Sequence, residues 1–255
     1  MTKLKSNFLV LEKVSKSFDG LKVLNEISCS IRAGEIVGLL GLNGSGKTTL
    51  FNVMTNLLRA DSGKVIFRER NLHQFSPHEI AKIGITRTFQ DLRLIRRLTV
   101  LENVLLSFKH QPGEKLTNLF LNWKKSENRE IKHSQISQKI LNNVGLADKS
   151  NTLAEDLSYG QQKLLSIVCC LATGADLLLL DEPIAGVSPA AIEQIIPLIK
   201  DLPRQNKSAV LIEHNPDVVK EICDRVFFLD AGSLIIQGTP EQVYNNSKVI
   251  EAYLR

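Results

Sequence analysis

Two unbroken apolar runs stand out along the chain, Ile36-Val37-Gly38-Leu39-Leu40 and Leu177-Leu178-Leu179-Leu180. Runs that do not alternate belong to strands covered on both faces, as in a parallel sheet. Ala209-Val210-Leu211-Ile212-Glu213 predicts a further strand, closed by His214. Phe8 to Val14 and Val23 to Ile31 behave differently, because apolar and polar residues alternate there in the manner of antiparallel strands. Ser76-Pro77-His78-Glu79 and Thr99-Val100-Leu101-Glu102 both have the form of a capping box, which predicts helix starts at Pro77 and Val100. Lys163 to Ala172 reads as helical, and Ser188 before Pro189 reads as the N-cap of a helix over Pro189 to Leu202. Mostly helical segments fill the space between Gln90 and Leu157, with a polar, loop-like tract near Gln111 to Asn128. Strand and helix alternating in this way predict one α/β domain with a helical insertion.

The candidate chemistry sits where the apolar runs end. Gly41-Leu42-Asn43-Gly44-Ser45-Gly46-Lys47-Thr48 follows the first run and matches G-x-x-x-x-G-K-[ST] in full. In that setting the glycines permit a wide turn whose backbone N–H groups face inward. The helix that follows opens with the positive end of its dipole toward the same point. A polyphosphate fits such a loop. Lys47 reaches the β- and γ-phosphates as a point charge, and the Thr48 hydroxyl is a ligand for the Mg2+ that bridges them. A glycine-rich turn that binds nothing would leave Lys47 and Thr48 without an account. After the second run, Asp181 and Glu182 stand at the carboxyl end of the strand, the edge at which α/β sheets bind ligands. Asp181 reads as the holder of Mg2+ through its water shell. Glu182, expected on the other face of the pleat, reads as the group that orients or deprotonates an attacking water.

Composition narrows the setting. A chain of 255 residues that is 43% apolar can bury a full core. No apolar run is long enough to span a bilayer, and Met1-Thr2-Lys3-Leu4-Lys5-Ser6 lacks the apolar core of a signal peptide, so a soluble chain is expected. Cys29, Cys169, Cys170 and Cys223 show no C-x-x-C spacing and lie in apolar-rich segments, which predicts reduced, buried thiols rather than zinc or disulfides. The net charge of +5 and the stretch Arg93-Leu94-Ile95-Arg96-Arg97 do not make a nucleic-acid surface, because aromatics are scarce and no recognition motif accompanies the arginines.

Leu157-Ser158-Tyr159-Gly160-Gln161-Gln162 precedes the acidic strand. Ser158 is placed as an N-cap, Gly160 allows a close backbone approach, and the helix that follows presents its dipole to an anion. With this hexapeptide ahead of Asp181, the chain resembles the ATP-binding-cassette (ABC) transporter ATPases. Their usual signature is Leu-Ser-Gly-Gly-Gln, and here Tyr159 replaces the first glycine. The resemblance implies a P-loop NTPase fold: a mixed, mostly parallel sheet flanked by helices, with an N-terminal antiparallel β-subdomain and an inserted α-helical subdomain. Residues 1–255 then form a single ABC ATPase domain, with the RecA-like core and antiparallel subdomain in 1–89 and 166–255 and the helical subdomain near 90–165. It implies ATP and Mg2+ as cofactors. Gly41, Asn43, Gly44, Ser45, Gly46, Lys47, Thr48 and Thr49 then contact the nucleotide, and Phe18, in Ser17-Phe18-Asp19-Gly20, corresponds to the aromatic that stacks on adenine. Thr88-Phe89-Gln90 is similar to the glutamine loop, so that Thr48, Gln90 and Asp181 form the Mg2+ set. Glu182, Gln90 and His214 form the catalytic set, His214 as the switch histidine at the γ-phosphate. Leu157, Ser158, Tyr159, Gly160 and Gln161 close over the γ-phosphate bound by a second cassette. One position departs from the family pattern: Ser188 stands where an aspartate usually crosses the dimer interface.

Beyond these motifs, Thr86 to Leu94, Thr99 to Val104, Leu157 to Lys163 and the ending from Gly238 to Leu254 resemble the ATPases of branched-chain amino-acid importers. The long insertion between Gln90 and Leu157 is similar to that of the larger of the two ATPases in such systems. The implied partners are integral-membrane permease subunits, a second ATPase that is identical or paralogous and, indirectly, a solute-binding protein, with no nucleic acid. The implied location is the cytoplasmic face of the inner membrane, with Leu92 to Leu98 as the permease dock. Neighbouring groups of the family serve urea or amide importers and lipopolysaccharide-type exporters, and these stand as alternatives. Soluble ABC ATPases of translation or repair carry paired cassettes or a long coiled coil, and this chain has neither. A GTPase or kinase leaves Leu157 to Gln162 unexplained.

Overall fold

The structure, a computed structural model, describes residues 7–89, 92–109 and 123–254. It divides into two compact units, one made of Met1–Arg87, Asp176–Pro183 and Ile199–Arg255, the other of Thr88–Ala175 and Ile184–Leu198.

In the first unit the alternating N-terminal segments form β1 (Asn7–Phe18) and β2 (Leu21–Arg32), which pair antiparallel. With β4 (Ser62–Phe67) and β5 (Arg70–Asn71) they make a sheet of order β2-β1-β4-β5. The register of β1 slips on both of its neighbours next to Lys13, whose φ of 46° marks a bulge. The unbroken apolar runs become β3 (Ile36–Gly41) and β7 (Leu177–Asp181), buried at every position as their pattern requires. They lie in a second sheet with β6 (Ile85–Arg87), β8 (Ser208–Ile212), β9 (Arg225–Asp230) and β10 (Ser233–Gly238), ordered β10-β9-β3-β8-β7-β6. All neighbours run parallel except the β9–β10 pair. One apolar cluster joins the two sheets to α1 (Lys47–Met54), with Leu9, Phe67, Leu39, Phe51 and Leu179 all excluded from solvent. The mixed, mostly parallel sheet and the antiparallel sheet are those of a P-loop NTPase fold.

In the second unit α3 (Val100–Ser107), α4 (Trp123–Asn143) and α5 (Tyr159–Ala172) pack on one another, burying Val100, Val104, Leu141, Leu164 and Val168. Both predicted capping boxes form: Ser76 with Glu79 at the start of α2 (Pro77–Ile83), and Thr99 with Glu102 at the start of α3. The expected loop-like tract is corrected at its end. Positions 111–122 lie outside the described residues, but α4 begins at Trp123, so a polar stretch that reads as loop is helical there. Its lysines and glutamates are good helix formers, and polarity alone does not mark a break. The helix expected to reach Leu202 is α6 (Pro189–Lys200). Pro203 has no N–H to offer the carbonyl of Ile199, which accepts from Leu202 instead at 3.1 Å.

Two short helices, α7 (Pro216–Ile222) and α8 (Pro240–Tyr244), and the terminal α9 (Ser247–Leu254) complete the first unit. Among the described residues no helix is long and apolar enough to cross a membrane. All four cysteines are thiols outside any disulfide; Cys29, Cys170 and Cys223 are buried, and Cys169 is half-buried. Burial pushes the Cys29 and Cys223 thiols up to about 12 and Cys169 to about 11, which removes the reactive thiolate at neutral pH.

Candidate functional site

The register of three neighbouring parallel strands decides what meets at their carboxyl ends. Leu39 of β3 pairs with Ile212 of β8, and Ile212 pairs with Asp181 of β7. Gly41, Asp181-Glu182 and Glu213-His214 therefore emerge along one edge of the sheet, residues far apart in sequence brought level by hydrogen-bond register.

Gly41 ends β3 at a φ of 148°, and a Cβ there would lie 2.1 Å from the carbonyl oxygen of Leu229 in β9, so only glycine fits. The chain turns through a Ser45 N–H to Leu42 carbonyl bond of 3.1 Å and reaches Gly46, left-handed at a φ of 100° and 2.8 Å from the Val23 carbonyl oxygen at its absent Cβ. α1 then starts at Lys47 with no side-chain cap and no acidic residue in its first turn. Its first amides and the positive end of its dipole are left to an anion. Ser45 adds an independent sign of fit: its Oγ is buried, and among the described residues it has no hydrogen-bond partner. Leaving a buried donor unsatisfied costs about 1–3 kcal/mol, a cost that a phosphate oxygen in the loop removes.

Lys47 is buried, and its Nζ donates to the carbonyls of Gly41 and Leu42, each at 2.8 Å. Burial lowers its pKa below the ordinary lysine value, while the charges of Glu182 and Asp181 pull it back up. Asn43, Gly44 and Thr48 are exposed and Thr49 half-buried, so the rim of the loop faces solvent. Phe18, where β1 ends, keeps 44% of its surface exposed with Lys16 Nζ 5.6 Å from the ring centre. An apolar ring open to solvent beside a turn can stack on a planar group.

Asp181 closes β7 and is buried. Glu182 does not continue the pleat as the sequence pattern suggests. Its φ is 47°, in the left-handed region that residues with a Cβ rarely adopt. That turn, not strand alternation, directs its side chain, and Oε1 lies 3.4 Å from Nε2 of His214. Both side chains are partly exposed, at 26% and 44%, so water reaches the space beside them.

Sequence reasoning passed over Arg87 and Asn52. Arg87, on the edge strand β6, donates Nη2 to Asp181 Oδ2 and Nη1 to Asn52 Oδ1 of α1, each at 2.6 Å. A lone arginine on a three-residue strand carries no local signal of burial, and only the β6–β7 pairing brings it to the acid.

In the helical unit Ser158 caps α5 through a complete box: its hydroxyl accepts from the Gln161 N–H, and the Gln161 side chain accepts from the Ser158 N–H. Ser158 and Tyr159 are exposed, and Leu157 is buried beneath them. The absence of a side chain at Gly160 serves packing within this unit, because a Cβ there would lie 2.9 Å from Ala191 Cβ on α6. The Tyr159 ring lies 3.3 Å from the absent Cβ of Gly186, itself left-handed at a φ of 72°. Gln90 lies outside the described residues.

The comparisons with known proteins agree with this geometry. The family model for ABC transporters matches residues 24–185. The high-affinity branched-chain amino acid transport ATP-binding protein LivG of Salmonella typhimurium is 37% identical over 250 residues, covering 96% of this chain and 97% of that protein. The ADP conformation of an ATP-binding cassette of an ABC transporter superposes with a TM-score of 0.83 at 34% identity, covering 97% of this chain and 98% of the other. A dimeric post-hydrolysis state of an ATP-binding cassette with ADP and Pi matches with a TM-score of 0.77 at 25% identity, covering 91% of this chain and 99% of that one. With the family model spanning more than half of the sequence and a relative matched end to end, this chain belongs to the ABC transporter family as one of its ATP-hydrolysing cassettes.

Proposed function

We propose that this cassette powers import of branched-chain amino acids through integral-membrane permease subunits, to which it binds at the cytoplasmic face of the inner membrane. The observation that carries this reading is the extent of its likeness to LivG, which runs through 96% of the chain and not through the nucleotide motifs alone. A solute-binding protein and the permease select the substrate, so the cassette itself contacts only nucleotide and partners. The segment from Leu92 to Leu98, with Ile95 more than half exposed, is the proposed permease dock.

In this reading the loop from Gly41 to Thr49 binds the triphosphate, with its amides and the Ser45 hydroxyl on phosphate oxygens and Phe18 against the adenine. Lys47 exchanges its two loop carbonyls for the β- and γ-phosphates, a short move for a flexible side chain. Thr48, Asp181 and Gln90 would hold Mg2+, which would supply positive charge beside the phosphate oxygens. Glu182 orients and deprotonates the attacking water, and His214, whose Nε2 lies 3.4 Å from that carboxylate, contacts the γ-phosphate as the switch histidine. Leu157 to Gln161 of a second cassette cover the γ-phosphate, so its loss on hydrolysis releases the pair.

Uptake in cells tests the substrate. Deleting the chain should cut uptake of labelled leucine at low external concentration, and the Lys47→Ala variant should not restore it. Normal leucine uptake with lost urea uptake would move the protein to the amide importers, and an outer-membrane lipid defect with normal import would reject import altogether.

A further inference from the structure

The carboxylate proposed to hold Mg2+ already faces a cation. Arg87 Nη2 lies 2.6 Å from Asp181 Oδ2, and the two side chains are only 5% and 4% exposed. The register explains the meeting: Arg87 pairs with Leu179 across the parallel β6–β7 ladder, and Asp181, two residues on, shares the face of Leu179. The guanidinium is fixed from two further directions. Nη1 donates to Asn52 Oδ1 at 2.6 Å, and Cζ stands 5.3 Å from the centre of the Phe51 ring. Asn52 and Phe51 both lie on α1, the helix that opens with Lys47.

A buried ion pair is a poor device for stability alone, since well-packed apolar residues of the same volume often serve as well or better. Its location supplies the reason for it. A carboxylate buried away from water needs a counter-charge beside it, and an arginine already on one of its oxygens opposes Mg2+ when it arrives.

We propose that Arg87 is a positioning residue and the resident counter-cation of Asp181. It holds the carboxylate oriented between turnovers, and by competing with Mg2+ it sets the concentration at which the metal tightens nucleotide binding. Asn52 ties this balance to the phosphate loop. The inference rests on the placement of Asp181 in the nucleotide site proposed above.

The test measures affinity of the full chain for a fluorescent ATP analogue across free Mg2+ from chelator to millimolar. Arg87→Met should reach half of the metal-dependent tightening at a Mg2+ concentration lower by about fivefold or more, the lower end of typical couplings between ligands. Arg87→Lys retains the charge but loses the fork to Asn52, so its midpoint should lie between those of wild type and the neutral variants, because Mg2+ still meets a competing cation. Asp181→Asn should abolish the response with or without Arg87→Met. Should Arg87→Met not fold, Arg87→Gln makes the same comparison with a side chain that keeps a hydrogen bond and loses the charge. An unchanged Mg2+ midpoint in a folded, neutral variant overturns the inference, as does an Arg87→Lys midpoint shifted as far as that of the neutral variants. A full Mg2+ response in Asp181→Asn instead overturns the placement of Asp181, so the two failures are distinguishable.

Discussion

At the residue scale the position that separates binding from chemistry is Glu182. In the proposed mechanism Lys47 acts on phosphate charge in the ground state, whereas Glu182 acts on water in the hydrolytic step. Lys47→Ala should therefore lose nucleotide binding, and Glu182→Gln should keep it while turnover falls about 10²-fold or more. The left-handed backbone of Glu182 adds a second expectation, because a side chain held at a φ of 47° is retained against conformational preference. Glu182→Gly should also lose turnover yet raise stability by up to about 1 kcal/mol, since relief of about 1–2 kcal/mol of left-handed strain exceeds the roughly 0.4–1 kcal/mol that glycine adds to the entropy of the unfolded chain. Nucleotide titration, phosphate release and thermal melting of the three variants read this out. A glycine variant less stable than wild type would show that the contact with His214 outweighs the backbone term. Much of the layout of the candidate site was legible in the sequence because its parts are contiguous: Gly41 to Thr48 form one loop, and Asp181 ends one strand with Glu182 turning off after it. The Arg87–Asp181–Asn52 cluster was not, because it is assembled by sheet register from three segments whose spacing carries no signal.

At the scale of elements, patterns confined to a few residues transferred well and patterns needing partners did not. Ser76, Thr99 and Ser158 cap their helices because capping is decided within four residues. Strand order, by contrast, follows no local rule: β3 lies between β8 and β9, both far along the chain. Gly160 shows how an element contact changes the reading of a motif residue. In the sequence it belongs to the phosphate signature, and in the structure it is also the point where α5 meets α6, with no room for a methyl group against Ala191. Gly160→Ala should destabilise the protein by about 1–3 kcal/mol through overpacking. Ala191→Gly should cost about 1 kcal/mol through helix propensity. Since the first cost arises from the second residue's Cβ, the double variant should be more stable than the summed singles, by about 0.5–3 kcal/mol. Thermal melting of the four-member cycle measures this, and strict additivity would mean that the two helices do not press on each other at Gly160. ATPase activity of the folded double variant then separates packing from nucleotide contact, with loss of turnover assigning Gly160 to the signature as well.

For the whole molecule the question is what completes the site. In the proposed mechanism the loop from Gly41 to Thr49 holds a nucleotide from one side, whereas Ser158 and Tyr159 present a capped helix start to solvent. A helix start that offers amides and a dipole, in a cassette whose dimeric relative holds ADP and Pi, fits a second copy as its ligand's other wall. ATP should then act as the cement: each nucleotide gives contacts to both chains, and association follows ATP by mass action. Glu182→Gln removes the reaction that dissolves the pair, so with ATP it should sediment as a dimer and without ATP as a monomer. Ser158→Arg should abolish that dimer and leave nucleotide affinity of the single chain near wild type, because it blocks only the face offered to the partner. If Glu182→Gln stays monomeric with ATP, mixing it with the cognate second ATPase should yield the heterodimer, still lost in Ser158→Arg. A monomer under both conditions would remove the shared site, and with it the account of how loss of the γ-phosphate resets the permease.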